Sequence, residues 1–343
     1  MKPPAILLQE PSLKGDWVLA STQNRSIERV AGELSSRLEE KGYQSRTVSV
    51  QHLRDLQEAI EGDHSRGLLN EEFYRERLTS FTFKPPNLLP EAKSLIVVAV
   101  PRPQFRAVFN WKKESVPLLI PPTYTAYDET DRQVQDLVSN VLNPEGYRVE
   151  HAALPLKTLA VRSGLGDYGR NNLCYVPGMG SFHQLVGLYT DLPPHEDNWR
   201  QPQMMGRCQN CQACIKSCPT GAITSESFLI HAEQCLTFHN ERAGEFPDWI
   251  DPSWHNCVVG CLHCQRVCPQ NISYLKWIEE GHAFSEEETS LILDSVPQDE
   301  LPPETLKKLE QLDLIEYLNV LPRNLHPLLK KRAHASKKYR ANH

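Results

Sequence analysis

No stretch of this sequence approaches the roughly 20 consecutive apolar residues that a bilayer-crossing helix needs, which argues against a helical membrane span. The start, Met1 to Glu10, breaks its short apolar stretch with a carboxylate, so no secretory leader is expected and the chain reads as cytoplasmic. Positive charge is not in excess either. The formal net charge is −6, so no global field draws the chain to nucleic acid, and any such contact must be local. Repeats of fixed period are also missing.

What is present is ordinary in bulk. Of 343 residues, 40% are hydrophobic and 23% charged, the balance of a globular protein with two or three packed units. The one basic concentration runs from Lys330 to His343, where six Lys and Arg residues meet no acid. Solvated charge is the plainer reading of that tail, and a local contact to RNA the more specific one.

The first part of the chain reads as alternating strands and helices. Asp16–Ser21 looks extended, and Ile27, Val30, Ala31, Leu34 and Leu38 then recur at helical spacing up to Gly42, a helix stop. Thr47–Val50 suits the next strand. Leu95–Val100 is a continuous β-branched run closed by Pro101, the pattern of a central strand buried on both faces. Five prolines between Pro101 and Pro122 exclude a long helix, so a loop or lid is expected there. Val134, Leu137, Val138, Val141 and Leu142 mark a helix capped by Thr130 or Asp131, with Asp128 in the turn that feeds it. Glycines crowd the segment Ser163 to Ser181, where backbone must turn tightly or lie close to a bulky ligand. A strand over Gln184–Thr190 follows, and Glu304–Leu318 reads as a helix ending near Pro322.

Nine of the ten cysteines lie between Cys208 and Cys268, too close together for a disulfide framework. Cys208-x2-Cys211-x2-Cys214-x3-Cys218-Pro219 is the bacterial ferredoxin run. In that run three thiolates hold one [4Fe-4S] cluster and the fourth reaches a second. Zinc takes four ligands and would leave most of these cysteines unexplained. The second run is Cys257-x3-Cys261-x2-Cys264-x3-Cys268-Pro269, with Cys235 alone upstream. Crossed ligation puts Cys208, Cys211, Cys214 and Cys268 on one cluster. Cys218, Cys261 and Cys264 then hold the other with either Cys235 or Cys257, and spacing leaves that choice open. Two clusters this close pass single electrons, so the module supplies a site or a partner. The rest of the chain must bind a substrate and cofactor or dock that partner. Cys174 has no cluster company and is expected to be buried.

Several motifs together resemble the epoxyqueuosine reductase family. They are Leu88–Val100, Ser163-Gly164-Leu165-Gly166 through Gly169-Arg170-Asn171, Gly180-Ser181-Phe182, Thr190-Asp191-Leu192-Pro193 and the two runs ending in Cys-Pro; the likeness covers about Leu88 to Asn271. The Gly-Arg-Asn-Asn stretch looks as much like the related reductive dehalogenases. The resemblance implies an α+β protein: a nitroreductase-like α/β domain that binds cobalamin, a ferredoxin-like double-cluster module and a helical C-terminus. Expected boundaries are 1–87, 88–200, 201–275 and 276–343. It further implies an oxidoreductase fed by an external low-potential electron donor. Its substrate would be epoxyqueuosine in tRNA or, alternatively, another small electrophile; a non-catalytic electron carrier belongs to a different class.

By the same resemblance Gly164, Leu165, Gly166, Gly169, Arg170, Asn171, Gly180 and Ser181 lie against the corrin, and Cys235 rather than Cys257 completes the second cluster. Asp128 takes the place of the family's proton donor, but the Arg, Tyr and His beside that donor are replaced here by Tyr127, Glu129 and Thr130. His183 reads as a strand histidine that could face the corrin. Tyr124, Tyr127, Lys157, Arg162 and Arg170 are candidate substrate or phosphate contacts, with packed or solvated side chains the plainer reading.

Overall fold

The computed structural model describes residues 13–340, with side chains over 24–331. Residues 1–12, which carry the leader reading, and 341–343, the end of the basic tail, lie outside the described residues. No described helix is long and apolar enough to cross a membrane.

Helix α1 spans Leu13–Glu40 and stops at Gly42, whose φ of 76° only glycine adopts without strain. The expected extended stretch Asp16–Ser21 is part of this helix. Leu19 and Ala20 are good helix formers, and neither Pro nor Gly interrupts the chain from Asp16 to Val30. Strand β1 (Gln44–Ser49) leads to α2 (Leu53–Ser65) and to α3 (Glu71–Arg77), which Asn70 caps by accepting from Phe73 N at 3.0 Å. Strand β2 (Ser94–Pro101) is the central strand that its apolar run predicts.

The segment expected as a loop is instead a hairpin, β3 (Gln104–Trp111) and β4 (Glu114–Ile120). Lys112 and Lys113 take φ of 50° and 64° in its two-residue turn, a geometry that usually announces itself with Asn-Gly. The prolines sit where a sheet tolerates them: Pro101 as the last residue of β2, Pro117 in β4 at the sheet edge, and the others between elements or in the turn before α4.

Helix α4 (Tyr127–Leu142) is followed by β5 (Val149–His151), α5 (Leu156–Arg162), the two-residue strands β6 (Asp167–Tyr168) and β7 (Cys174–Tyr175), and β8 (His183–Thr190). α4 begins before the expected cap at Thr130 or Asp131, so Asp128 is inside its first turn. No side chain of the N-cap residue Ala126 caps it. Asp313 does so from a distance, accepting from Tyr127 N at 2.9 Å.

Four strands form an antiparallel sheet in the order β1-β2-β8-β5. Alternation along β2 sends Ile96, Val98 and Val100 against α1 and α4, whose Val30, Leu34, Val134 and Val138 are buried there. Leu95, Val97 and Ala99 face the other way, onto Leu56 of α2 and Leu159 of α5. Sandwiching the sheet in this way buries β2 completely from Ser94 to Val100.

The remaining elements are α6 (Ala213–Ser217), α7 (Leu236–Glu241), α8 (His263–Arg266), β9 (Ile278–Phe284), α9 (Glu286–Leu293), α10 (Pro303–Gln311) and α11 (Leu321–Arg340). β9 pairs in parallel with β3, giving a second sheet, β4-β3-β9. Phe109 stacks on Phe284 at 4.8 Å, and the C-terminal helices cover this sheet with Ile292, Leu309, Leu325 and Leu328. The helix expected over Glu304–Leu318 ends instead at Gln311, ahead of Asp313 with a φ of 51°. Pro322 lies in the first turn of α11 rather than at a helix end, a position where its missing N–H costs nothing.

Candidate functional site

Cys208 closes a short 3-10 turn, Cys214 lies on α6 and Cys218 just past its end, while Cys264 lies on α8 and Cys268 past its end. Ser217 Oγ donates to His263 O at 3.2 Å, tying α6 to α8. Cys208, Cys211, Cys214 and Cys268 line one cavity together with Gly169, Arg170, Asn171 and Tyr175. The remaining thiols neighbour one another as well: Cys261, pushed up to about 12 by burial, lies within electrostatic reach of Cys235 and Cys218, Cys264 within reach of Cys261, Cys235 and Cys214, and Cys257 within reach of Cys261. Cys257 is fully buried beside Val258 and Val259, and its thiol donates to Asn256 Oδ1 at 2.8 Å. Cys174 is buried too, as expected.

Burial raises the pKa of Cys208, Cys214, Cys235, Cys261 and Cys264. Such thiols stay neutral until a cation compensates their charge, as iron does for a ligating thiolate. No three His, Cys, Asp or Glu among the described residues converge on one metal ion.

The glycine-rich segment is fastened to this module. Arg170 Nη2 donates to Cys208 O at 3.1 Å. Asn271 Oδ1 accepts from Ser181 N, and its Nδ2 donates to Ser181 Oγ, each at 2.9 Å. Gly180 has φ +58°, and a Cβ there would stand 2.4 Å from Asn271 Oδ1. At Gly166 and Gly169 the same space is taken by Tyr175 and Asn171. Gly164, φ +78°, ends α5, with the Leu165 N–H donating to Ala160 O. At Gly166, Gly169 and Gly180 the room a side chain would need is thus filled by the protein's own atoms.

A separate cleft of about 620 Å³ opens between the start of α4 and the C-terminal region, lined by Tyr124, Tyr127, Asp128, Glu241, Asp313 and Tyr317 among others. Asp128 is exposed in it. Tyr124 OH donates to Glu241, whose Oε2 lies 3.1 Å from Arg77 Nη2. Burial raises the Glu241 carboxyl even though Tyr124 and Arg77 pull it down. The phenol of Tyr124 is held well above its ordinary range by burial first and the Glu241 charge second, and it lies within electrostatic reach of Cys235. Tyr124 also needs Gly260, where a Cβ would stand 2.6 Å from its hydroxyl.

Lys157 likewise reaches the Cys235 side of the module. Its side chain is exposed, and desolvation lowers its pKa, with Cys174 and Cys235 opposing that shift. Its Nζ donates to Asn172 O at 3.2 Å. Arg162 lies over Trp199, 5.6 Å from the ring centre. His183 is buried, and desolvation lowers its pKa to about 4, so it is neutral at pH 7. Its Nδ1, with Gln184 Oε1, Arg102 Nε and Thr125 Oγ1, is buried without a hydrogen-bond partner among the described residues. These atoms gather where β2 ends, β8 begins and the chain enters α4. A ligand rich in amide donors and acceptors, such as a corrin, has the chemistry to satisfy them.

Sequence reasoning missed Glu241, Asp313 and Tyr317. Glu241 had one weak signal, being the acid that closes the short helix started by Cys235.

Residues 207–271 match the family described as a 4Fe-4S double cluster binding domain. The epoxyqueuosine reductase of Bacillus subtilis is 28% identical over 208 residues, covering 54% of this chain and 50% of that protein. The Escherichia coli epoxyqueuosine reductase is 36% identical over 124 residues, covering 36% and 31%. The chain thus spans half or less of the length of these curated relatives. Among solved structures, an epoxyqueuosine reductase with an epoxyqueuosine-modified tRNA-Tyr stem loop superposes with a TM-score of 0.63 at 20% identity, covering 88% of this chain and 81% of that one. The B. subtilis structure gives 0.62 at 21%, covering 88% and 82%. At such identities the structural match shows a shared fold, and it bears out the expected α+β class.

Proposed function

We propose that this chain, which resembles the epoxyqueuosine reductase family in sequence and shares its fold, is a cobalamin-dependent iron–sulfur reductase acting on epoxyqueuosine in tRNA. The observation that carries the reading is that the short helix starting just after Cys235 ends at Glu241 in the wall of the cleft, so the cysteine-rich module and the cleft share an element.

In this reading Cys208, Cys211, Cys214 and Cys268 hold one [4Fe-4S] cluster, and Cys218, Cys235, Cys261 and Cys264 the other. An external low-potential donor supplies the electrons. Cobalamin, when bound, supplies the strong reductant for the substrate carbon. Gln184, His183, Arg102 and Thr125 offer it unpaired polar atoms, and Lys157 a cation. Asp128 stands exposed at the cleft, where it takes the proton donor's place. Tyr127 and Tyr124 present aromatic walls that exclude water from one side.

A second reading has a specific observation behind it. Asp128, Glu310, Asp313 and Glu316 all line the cleft, a negative rim that repels phosphate and suits a neutral or cationic small electrophile. Anaerobic reconstitution with iron, sulfide and cobalamin, followed by visible spectroscopy, tests the common part. Absence of a bound corrinoid would leave an electron carrier. Queuosine content of tRNA in a deletion strain then separates the two substrates, and an unchanged content would exclude the tRNA reading.

A further inference from the structure

Reducing an epoxide to an alkene breaks both carbon–oxygen bonds, forms a C=C bond, consumes two electrons and two protons, and releases one water. Removing a halide consumes two electrons and only one proton. An exposed Asp128 accounts for a single proton, so a deoxygenating site needs a second acid.

We propose that Glu241 is that second acid: Asp128 protonates the ring oxygen as the first carbon–oxygen bond breaks, and Glu241 protonates the resulting hydroxyl as the second breaks, so that it leaves as water and the C=C bond forms. The two electrons come from the external donor through the clusters, and solvent reprotonates both carboxyls. This rests on the epoxide-reductase reading. Both carboxyls line the same cleft. Glu241 ends α7, the helix that starts immediately after Cys235, so a short rigid element holds the acid at a constant distance from the second thiol group. Tyr124 OH donates to one carboxyl oxygen, and Arg77 stands 3.1 Å from the other. Tyr124 and Arg77 are positioning residues, and Tyr317 completes the groups that face Glu241. The two acids sit in different surroundings, one exposed and one largely covered, with desolvation raising its pKa. Such contrast is how one site assigns different proton-transfer roles to two carboxyls. The plain rival is that Tyr124, Glu241 and Arg77 only tether three elements together.

Glu241→Gln separates these readings, because the amide oxygen still accepts from Tyr124 but carries no transferable proton. The first readout needs no corrinoid: infrared difference spectra against pH on the cluster-loaded protein. A carboxylic C=O band titrating above the ordinary carboxylate range is expected in the wild type and in Asp128→Asn, and is expected to vanish in Glu241→Gln. Tyr124→Phe, which removes a hydrogen bond that lowers the Glu241 pKa, is expected to move that band to higher pH. Persistence of the band in Glu241→Gln, or its absence from the wild type, overturns the inference.

The second readout is single-turnover reduction of the epoxide by the corrinoid-loaded enzyme. Glu241→Gln is expected to slow it at least about tenfold with KM unchanged. Iron content equal to the wild type is the control for folding. Wild-type turnover with an unimpaired Glu241→Gln removes the inference and leaves the function standing. A loaded wild type that reduces no epoxide removes both.

Discussion

The backbone N–H of Tyr127 donates to Asp313 Oδ2 across 2.9 Å, so the first turn of α4, which carries Asp128, is capped by a residue of the C-terminal region. The cap and the cleft are therefore one structure: Tyr127, Asp128 and Asp313 all line it. Removing the cap with Asp313→Ala should cost about 1 kcal/mol, read as a lower urea midpoint at unchanged slope. Asp313→Asn, which still offers an oxygen, should recover most of it.

Cys235→Ala should lose the iron of one cluster while Cys257→Ala keeps both, because the Cys257 thiol is turned to Asn256 within an apolar core. Iron and sulfide analysis after anaerobic purification decides this, and equal iron in the two variants would contradict the assignment.

Gly180→Ala should destabilise the protein by about 1–3 kcal/mol. The new methyl would meet a left-handed backbone and Asn271 Oδ1 at 2.4 Å, prising Ser181 from the cluster module. Denaturant midpoints measure the loss, and faster cluster release under a chelator measures the loosened contact.

Stability should fall as the pH drops from about 6.5 to 4 for a reason independent of the clusters. His183 and His255 are buried, and desolvation lowers both pKa values to about 4. The unfolded chain, with ordinary histidines, therefore binds more protons across that window, and stability rises with pH there. Each residue contributes on the order of 1–2 kcal/mol between pH 7 and 5. His183→Gln cannot titrate and should flatten the dependence of the urea midpoint on pH; an unaltered slope would show that His183 is not buried neutral.

Much of the fold is legible in the chain. The helix face through Ile27, Val30, Leu34 and Leu38 and the run Leu95–Val100 fold as read, because periodicity reports a buried face directly. The β3–β4 hairpin is hidden in the sequence because Lys112 and Lys113 adopt positive φ without a glycine or asparagine to signal it. The start of α4 is hidden for a different reason: its cap is Asp313, 186 residues away, and no local pattern encodes it.

Cysteine spacing is a local property, and the short loops between Cys208 and Cys218 leave little freedom in which thiols face one another, so the sequence by itself determines a paired-cluster module. That Cys257 lies in the core, its thiol turned to Asn256, depends on which side of the chain packs inward, and spacing does not encode it. The cleft is a tertiary matter altogether. Arg77, Tyr124, Glu241 and Asp313 come from four separate stretches of the chain, and burial gives the Glu241 carboxyl its raised pKa. Desolvation exists only once those elements have closed around it.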